Sequence, residues 1–307
     1  MRLLTSTGLL IRPERPVRRY IMPSTSKSVS TIPVKLVLFD VFDTLCTPRL
    51  PIFEQYYDEA MKAGIPPSSI TPASVRKAFR PAFTEMNSTW RVYGKHSDPP
   101  LIPEDWWLEV IKRTMRHAGA AAEGFWVHLL ARSIDVYSAV DEAIPKLGPA
   151  LLERFESDEG YRNFTDTIPC LMTLREMGVQ TSIITNADPR ILRTLDALSI
   201  LPLITYPPTL SWDVERSKPD PEIFRAACRA CGVAPGHGIL MIGDELKADY
   251  HGALSAGLEA RLIRRSGEWS DGAVRNSEED LSDVMVMTGL DEVPSEVAER
   301  NKPLDLR

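Results

Sequence analysis

Well over a hundred residues separate the first of four short apolar runs from the second. Leu36 to Phe39 is the first, and Val179 to Thr185, Ile239 to Ile242 and Ala260 to Ile263 follow. Each has strand length and lacks polar alternation, the pattern of a strand buried on both faces. Helical segments lie around the later runs. "IPCLMTLREMG" has Pro169 near its start and Gly178 as a stop, and "PRILRTLDAL" puts Ile191, Leu192, Leu195 and Leu198 on one face. Strands alternating with helices imply right-handed crossovers and a parallel sheet, so we expect a doubly wound α/β core. The gap after the first run is too long for a crossover and requires an inserted subdomain.

The insert reads as all-helical. "PIFEQYYDEAMKAG" spaces Phe53, Tyr56, Tyr57, Ala60 and Met61 helically and ends at Gly64. "TPASVRKAFRPAFTEMNSTW" repeats the pattern with Val75, Phe79, Phe83, Met86 and Trp90. "PEDWWLEVIKRTMRHAG" and "EGFWVHLLARSIDVY" supply two more helices, and four amphipathic helices make a bundle. The aromatic stripes, with His117 and His128, are expected to be bundle core. "YPPTLSWDVERSKPDPE", 206–222, reads as a loop entering a helix capped by Asp220 with Pro221 at its first position. The polar tail from Ser266 contains one apolar segment, Val284 to Met287, suited to an edge strand.

Composition narrows the function classes. The 307 residues are 43% hydrophobic and 25% charged, an ordinary globular balance, and no apolar run approaches a membrane span. Residues 1–32 carry Arg2, Arg12, Arg15, Arg18, Arg19 and Lys27 against Glu14, a net +5; with −6 overall, the remainder stands at −11. So acidic a body is a poor nucleic-acid binder. The basic leader has the composition of a mitochondrial transit peptide, with a disordered tail of a cytoplasmic or nuclear protein, or translation from Met22, as the other reading. Four cysteines make no disulfide framework, and Cys228 and Cys231 fall on a helix without a second ligand pair.

Chemistry-bearing residues close the apolar runs in order: Asp40, then Thr185 with Asn186, then Lys218 in a loop, then Asp244 with Asp249. They serve one need. A carboxylate nucleophile takes a phosphoryl group only when cations screen its charge, and Mg²⁺ bound by carboxylates and phosphate oxygens does this. In such a set Asp244 is a second metal ligand, Lys218 orients the nucleophile, and Thr185 donates to the phosphate.

The motifs "DVFDTL", "SIITN", "SKPDPEIF" and "MIGDELKADYHGALSAG" resemble those of the haloacid dehalogenase (HAD) superfamily over residues 34–265. The resemblance implies a Rossmann-like core of residues 33–47 and 163–307 with a helical C1 cap at 48–162. It implies Asp40 as nucleophile, Thr185 and Lys218 as its catalytic partners, and Thr44 and Asn186 as phosphate-binding residues. It also implies a Mg²⁺ held by Asp40, Asp244 and the backbone carbonyl of Phe42, with Asp249 behind the lysine or a metal-bound water.

This chain departs from the motif at one place. Family phosphatases carry a second aspartate two residues after the nucleophile, to protonate the leaving alkoxide. Here that residue is Phe42, and Asp43 occupies the next position, usually Gly. Loss of a general acid costs roughly 10²- to 10⁴-fold. A side chain one step out of phase points elsewhere unless the turn is distorted. Family dehalogenases tolerate an aromatic there but lack the metal aspartate retained as Asp244. The expectation is therefore a Mg²⁺-dependent phosphoryl hydrolase of a small phosphorylated molecule, restricted to good leaving groups. A phospholigand- or partner-binding protein and a 2-haloacid dehalogenase are the alternatives.

Overall fold

In the computed structural model residues 30–122, 131–265 and 279–303 are described. The chain enters through β1 (Leu36–Phe39) and β2 (Cys46–Pro48), then passes through α1 (Ile52–Ala63), α2 (Pro72–Thr89), α3 (Pro103–Ala122) and α4 (Ala131–Arg154). It returns through β3 (Tyr161–Asn163) to α5 (Thr167–Glu176), β4 (Gln180–Thr185), α6 (Ile191–Ala197), β5 (Thr209–Leu210), α7 (Ser211–Val214) and α8 (Pro221–Ala230). Then follow β6 (Ile239–Gly243), a π-helical turn at Leu246–His251, α9 (Gly252–Ser255), β7 (Glu259–Ile263), β8 (Val286–Met287) and α10 (Glu292–Asn301).

The main sheet has the order β5-β4-β1-β6-β7-β8, with every pair parallel. The chain winds outward from β1 to β4 and β5, then crosses to β6, β7 and β8, so the winding reverses at β1. A crevice opens at such a reversal, beyond the carboxyl ends of the strands. Register sets what lies there. Phe39 pairs with Ile183 and Ile242, so Asp40 emerges level with the ends of β4 and β6. The expected doubly wound α/β core is present.

β1 alternates between two cores, as a strand covered on both faces must. Val37 and Phe39 join Leu174, Ile183, Leu195 and Ile242, while Leu36 and Leu38 join Phe224, Ala227, Met241 and Leu262. α8 is capped by Asp220, whose carboxylate accepts from the N–H of Glu222 at 2.9 Å, with Pro221 at the first position.

Helices α1 to α4 leave and rejoin the core through β2 and β3, which pair antiparallel from Cys46↔Asn163 to Pro48↔Tyr161. They share their own core, including Ile70, Val75, Ile111, Met115, Val140 and Leu147. Gly64 stops α1 at φ +100°, a conformation that costs other residues strain.

Several expectations need correction. The stretch 206–222 is not all loop: Thr209–Leu210 adds β5 at the sheet edge and Ser211–Val214 forms α7. α10 has only Val293 and Val297 in the core, too few points for a periodic signal, and was not anticipated. The fourth insert helix runs to Arg154, through Pro145 and Pro149 on its exposed side. His117 is exposed rather than core. The expectations for His128, residues 123–130 and the leader up to residue 29 fall outside the described residues. Cys228 and Cys231 are free and buried at the end of α8.

Candidate active site

Asp40 follows β1, Thr185 ends β4, and Asp244 follows β6, so the parallel register alone brings the three to one edge. Asp40 and Asp244 are buried, and with Asp249 their carboxylate oxygens lie within 4.8 Å of one another. Lys218 reaches into this group from the loop before α8. Its Nζ donates to Asp40 Oδ1 at 2.5 Å and to Asp249 Oδ1 at 2.6 Å. The other Asp249 oxygen accepts from the N–H of Glu245 at 2.9 Å. Asp249 is seated here because residue 243 is Gly: a Cβ there would lie 2.3 Å from the Asp249 carboxylate.

The electrostatics are unbalanced. Burial pushes the Asp40 carboxyl up to about 7; Lys218 draws it down and Asp249 raises it further. Asp244 is pushed up to about 9 by burial and by Asp40, Asp249, Asp43 and Glu245. Lys218 is held protonated, its burial outweighed by Asp249 and Asp40. One ammonium among several buried carboxylates leaves negative charge that a hard divalent cation would offset, and the all-oxygen donor set suits Mg²⁺.

The remaining sequence candidates take distinct places. Thr185 is buried, lines the cavity above the edge, and makes no side-chain hydrogen bond with a described residue. Asn186 lines it too, but its amide clamps the lysine loop: Oδ1 accepts from Lys218 N at 2.7 Å and Nδ2 donates to Lys218 O at 3.1 Å. Thr44 is fully buried and donates to Asp244 Oδ1 at 3.3 Å. It stands against the metal-type acid rather than in the cavity wall. Asp43 does sit in a distorted turn, at φ +56°, a left-handed conformation that Asp tolerates better than most residues. One of its oxygens accepts from Thr47 Oγ1 at 3.0 Å. Phe42 faces the cavity and packs on Tyr161, with ring centroids 5.1 Å apart.

Sequence reasoning missed three contributions. Arg264 donates to the carbonyl of Asp244, and Arg265 to that of Thr44 at 3.0 Å, so the pair after β7 pins two of the site's loops. Asp188 and Arg190 line the cavity, paired at 3.0 Å, and Trp107 Nε1 from α3 donates to Asp188 at 2.9 Å. The run "NADPR" directly after the second motif was the available signal. Thirdly, Tyr56, Phe79 and Phe83, expected as bundle core, form the roof of a cavity of about 370 Å³ between insert and sheet.

Comparison with known proteins agrees with this architecture. A family model described as haloacid dehalogenase-like hydrolase matches residues 34–257. The chain is 29% identical to the haloacid dehalogenase-like hydrolase domain-containing protein 3 of Danio rerio, over 86% of this chain and 96% of that protein. It is also 29% identical to a glyceraldehyde 3-phosphate phosphatase of Methanopyrus kandleri, over 80% of this chain and 90% of that one. Among solved structures, the HAD-hydrolase YfnB of Bacillus subtilis bound to magnesium superposes with a TM-score of 0.52 at 16% identity, covering 87% of this chain and 99% of its own.

Proposed function

The chain belongs to the haloacid dehalogenase-like hydrolase family, and from that premise we propose that it hydrolyses a small phosphorylated molecule with Mg²⁺ as cofactor and Asp40 as nucleophile. One observation carries the reading: Lys218 is shared between Asp40 and Asp249 in a buried cluster whose third acid, Asp244, has no cation among the described residues. Asp40, Asp244 and the Phe42 carbonyl would hold the ion. When bound, it supplies the charge that lets a carboxylate approach a phosphate.

The chain's own residues do the rest. Lys218 orients Asp40 and offsets charge on the phosphoryl oxygens, and the Thr185 hydroxyl donates to them. An Asp40 oxygen attacks phosphorus, the bond to the leaving oxygen breaks, and that oxygen departs with the electron pair. Water then attacks the same phosphorus, its proton leaving with the phosphate or to solvent, and the bond from phosphorus to the Asp40 oxygen breaks to restore the carboxylate. Helices α1 to α4 serve as a C1-type cap, joined to the core by the Trp107–Asp188 bond.

Position 42 has no proton to give; Asp43 lines the cavity beside it, but one of its oxygens accepts from Thr47, which holds that carboxylate toward β2. The leaving oxygen on this reading is one that is stable unprotonated, as in an acyl phosphate, an anhydride or an aryl ester. Retention of Asp244 sets the reading against a dehalogenase. Turnover of acetyl phosphate and p-nitrophenyl phosphate with Mg²⁺, beside slow turnover of a simple alkyl phosphate that Phe42→Asp accelerates, is the expected result. Rapid alkyl phosphate hydrolysis by the parent would refute the leaving-group restriction. Binding of phosphate without any turnover would refute the hydrolytic reading.

A further inference from the structure

The floor of the cavity is explained by the chemistry above, but its wall is not. A continuous ladder of aromatic rings climbs from the motif into the insert. Phe42 contacts Tyr161 at 5.1 Å, Tyr161 contacts Phe155 at 5.6 Å, Phe155 contacts Tyr56 at 5.7 Å, and Tyr56 contacts Phe79 at 5.4 Å. All five line the cavity. Rings presented edge and face to a cavity favour a flat unsaturated guest over a hydrated sugar or an aliphatic polyol. An apolar cavity of about 150 Å³ is enough for benzene, so about 370 Å³ holds one ring together with a phosphoryl group.

Two further observations limit that guest. The first is the state of the cations. Among the described lining residues the cations are Lys218, committed to Asp40 and Asp249, and Arg190. The Arg190 side chain is 12% exposed, paired with Asp188 at 3.0 Å and Glu156 at 3.6 Å, and stacked 5.3 Å over Trp107. Among the described lining residues no uncommitted cation is left to receive a second anionic group. The second is a pair of phenols. The hydroxyls of Tyr56, only 3% exposed, and of Tyr161 form no hydrogen bond with another described residue, although both residues line the cavity. Neither hydroxyl is a sealed, orphaned polar atom: both open on the cavity, so each is available to donate to a guest's oxygen. Burial keeps both phenols protonated and able to donate.

Resting on the hydrolytic reading above, we propose that the substrate is an aryl or aroyl phosphate: a single aromatic ring, one phosphoryl group, no second strong anion, and an oxygen on the body that accepts from Tyr56 or Tyr161. The wall and the missing acid then answer one requirement. A phenolate or aromatic carboxylate departs without a proton, and the same ring is what the aromatic ladder holds. Asp40 forms its bond to phosphorus as the bond to the aryl or aroyl oxygen breaks; a departing phenolate then takes a proton from solvent and a departing carboxylate stays ionised, and water attacks the phosphorus to release Asp40, its proton leaving with the phosphate or to solvent.

The test compares ligands of equal leaving chemistry on the full chain with Mg²⁺. Benzoyl phosphate and acetyl phosphate both release a carboxylate, and we expect kcat/KM at least tenfold higher for benzoyl phosphate. 4-Carboxybenzoyl phosphate, which has the same leaving chemistry and ring but a second anion, should be poorer than benzoyl phosphate. Benzylphosphonate and methylphosphonate, which cannot be hydrolysed, are titrated calorimetrically, with the benzyl compound expected to bind at least tenfold more tightly. Equal kcat/KM and equal binding would overturn the substrate class while leaving the aspartyl reading intact. Tighter benzylphosphonate binding with no turnover of either acyl phosphate would support the class and overturn hydrolysis. The Tyr56→Phe/Tyr161→Phe double variant keeps both rings and should raise KM for benzoyl phosphate several-fold; an unchanged KM would overturn the assignment of the hydroxyls.

Discussion

The two ends of the central sheet each bury a charge cluster, and they are built to opposite accounts. At the amino end, Arg300 donates to both oxygens of Glu259 at 2.9 and 2.7 Å, to Glu296 at 3.1 Å and to the carbonyl of Ile32. Arg261 bonds Glu296 as well, so two arginines meet two glutamates. Burial opposes the Glu259 charge, yet Arg300 and the N–H of Gly238 hold its carboxyl below the ordinary range. At the carboxyl end, Lys218 is the one cation among the described residues paired within the cluster of Asp40, Asp244 and Asp249, and two of these acids are pushed upward. A balanced buried network fastens α10 beneath the sheet; an unbalanced one marks the site where a ligand's charge is awaited.

Substitutions at the two ends should therefore have opposite signatures. Asp40→Asn should lower hydrolysis at least about 10³-fold, since it removes the group that forms the new bond. Because it also removes one charge from a crowded cluster, its thermal midpoint should not fall; a large fall would give the carboxyl-end cluster a structural role. Arg300→Met strands Glu259 in the interior and should destabilise the fold by roughly 3–5 kcal/mol in urea unfolding. A small loss would mean that the amino-end network does not hold α10.

Mg²⁺ should stabilise the wild type by about 2.7 kcal/mol at a hundred times its dissociation constant, and Asp244→Asn should abolish that gain in a thermal melt. Equal stabilisation of the variant would place the ion elsewhere. Glu259 titrates in the opposite sense to the site's acids. Its folded-state value lies below the ordinary 4.5, so its contribution is present above about 4.5 and lost as pH falls through the folded value. The stability gap between wild type and Glu259→Gln should accordingly shrink on acidification, and a gap independent of pH would contradict the pairing. Tyr56→Phe is the smallest case. With no partner to lose among the described residues, stability should stay within about 0.5 kcal/mol, whereas a hydroxyl bonded in the free protein would cost about 1 kcal/mol.

The floor of the site was legible in the sequence because strand ends fix it. Asp40, Thr185 and Asp244 close apolar runs, and a parallel register allows them no other meeting place. The wall was not legible. Tyr56 and Phe79 sit at helical spacings that serve a bundle core and a cavity lining alike, and only the packing of α1 and α2 above the sheet decides. β5 is two residues long and α10 presents two valines, which is less than periodicity can register. The role of Asn186 was also hidden, since an amide after a strand does not announce that it will clamp the Lys218 backbone.

Whether Asp40 carries the phosphoryl group through the reaction is read directly by rapid acid quench with labelled acetyl phosphate and Mg²⁺. A hydroxylamine-labile phosphoryl adduct is expected, placed on Asp40 by peptide mapping and absent from Asp40→Asn. Turnover at full rate with no adduct on Asp40, or with the adduct on another residue, would contradict that role.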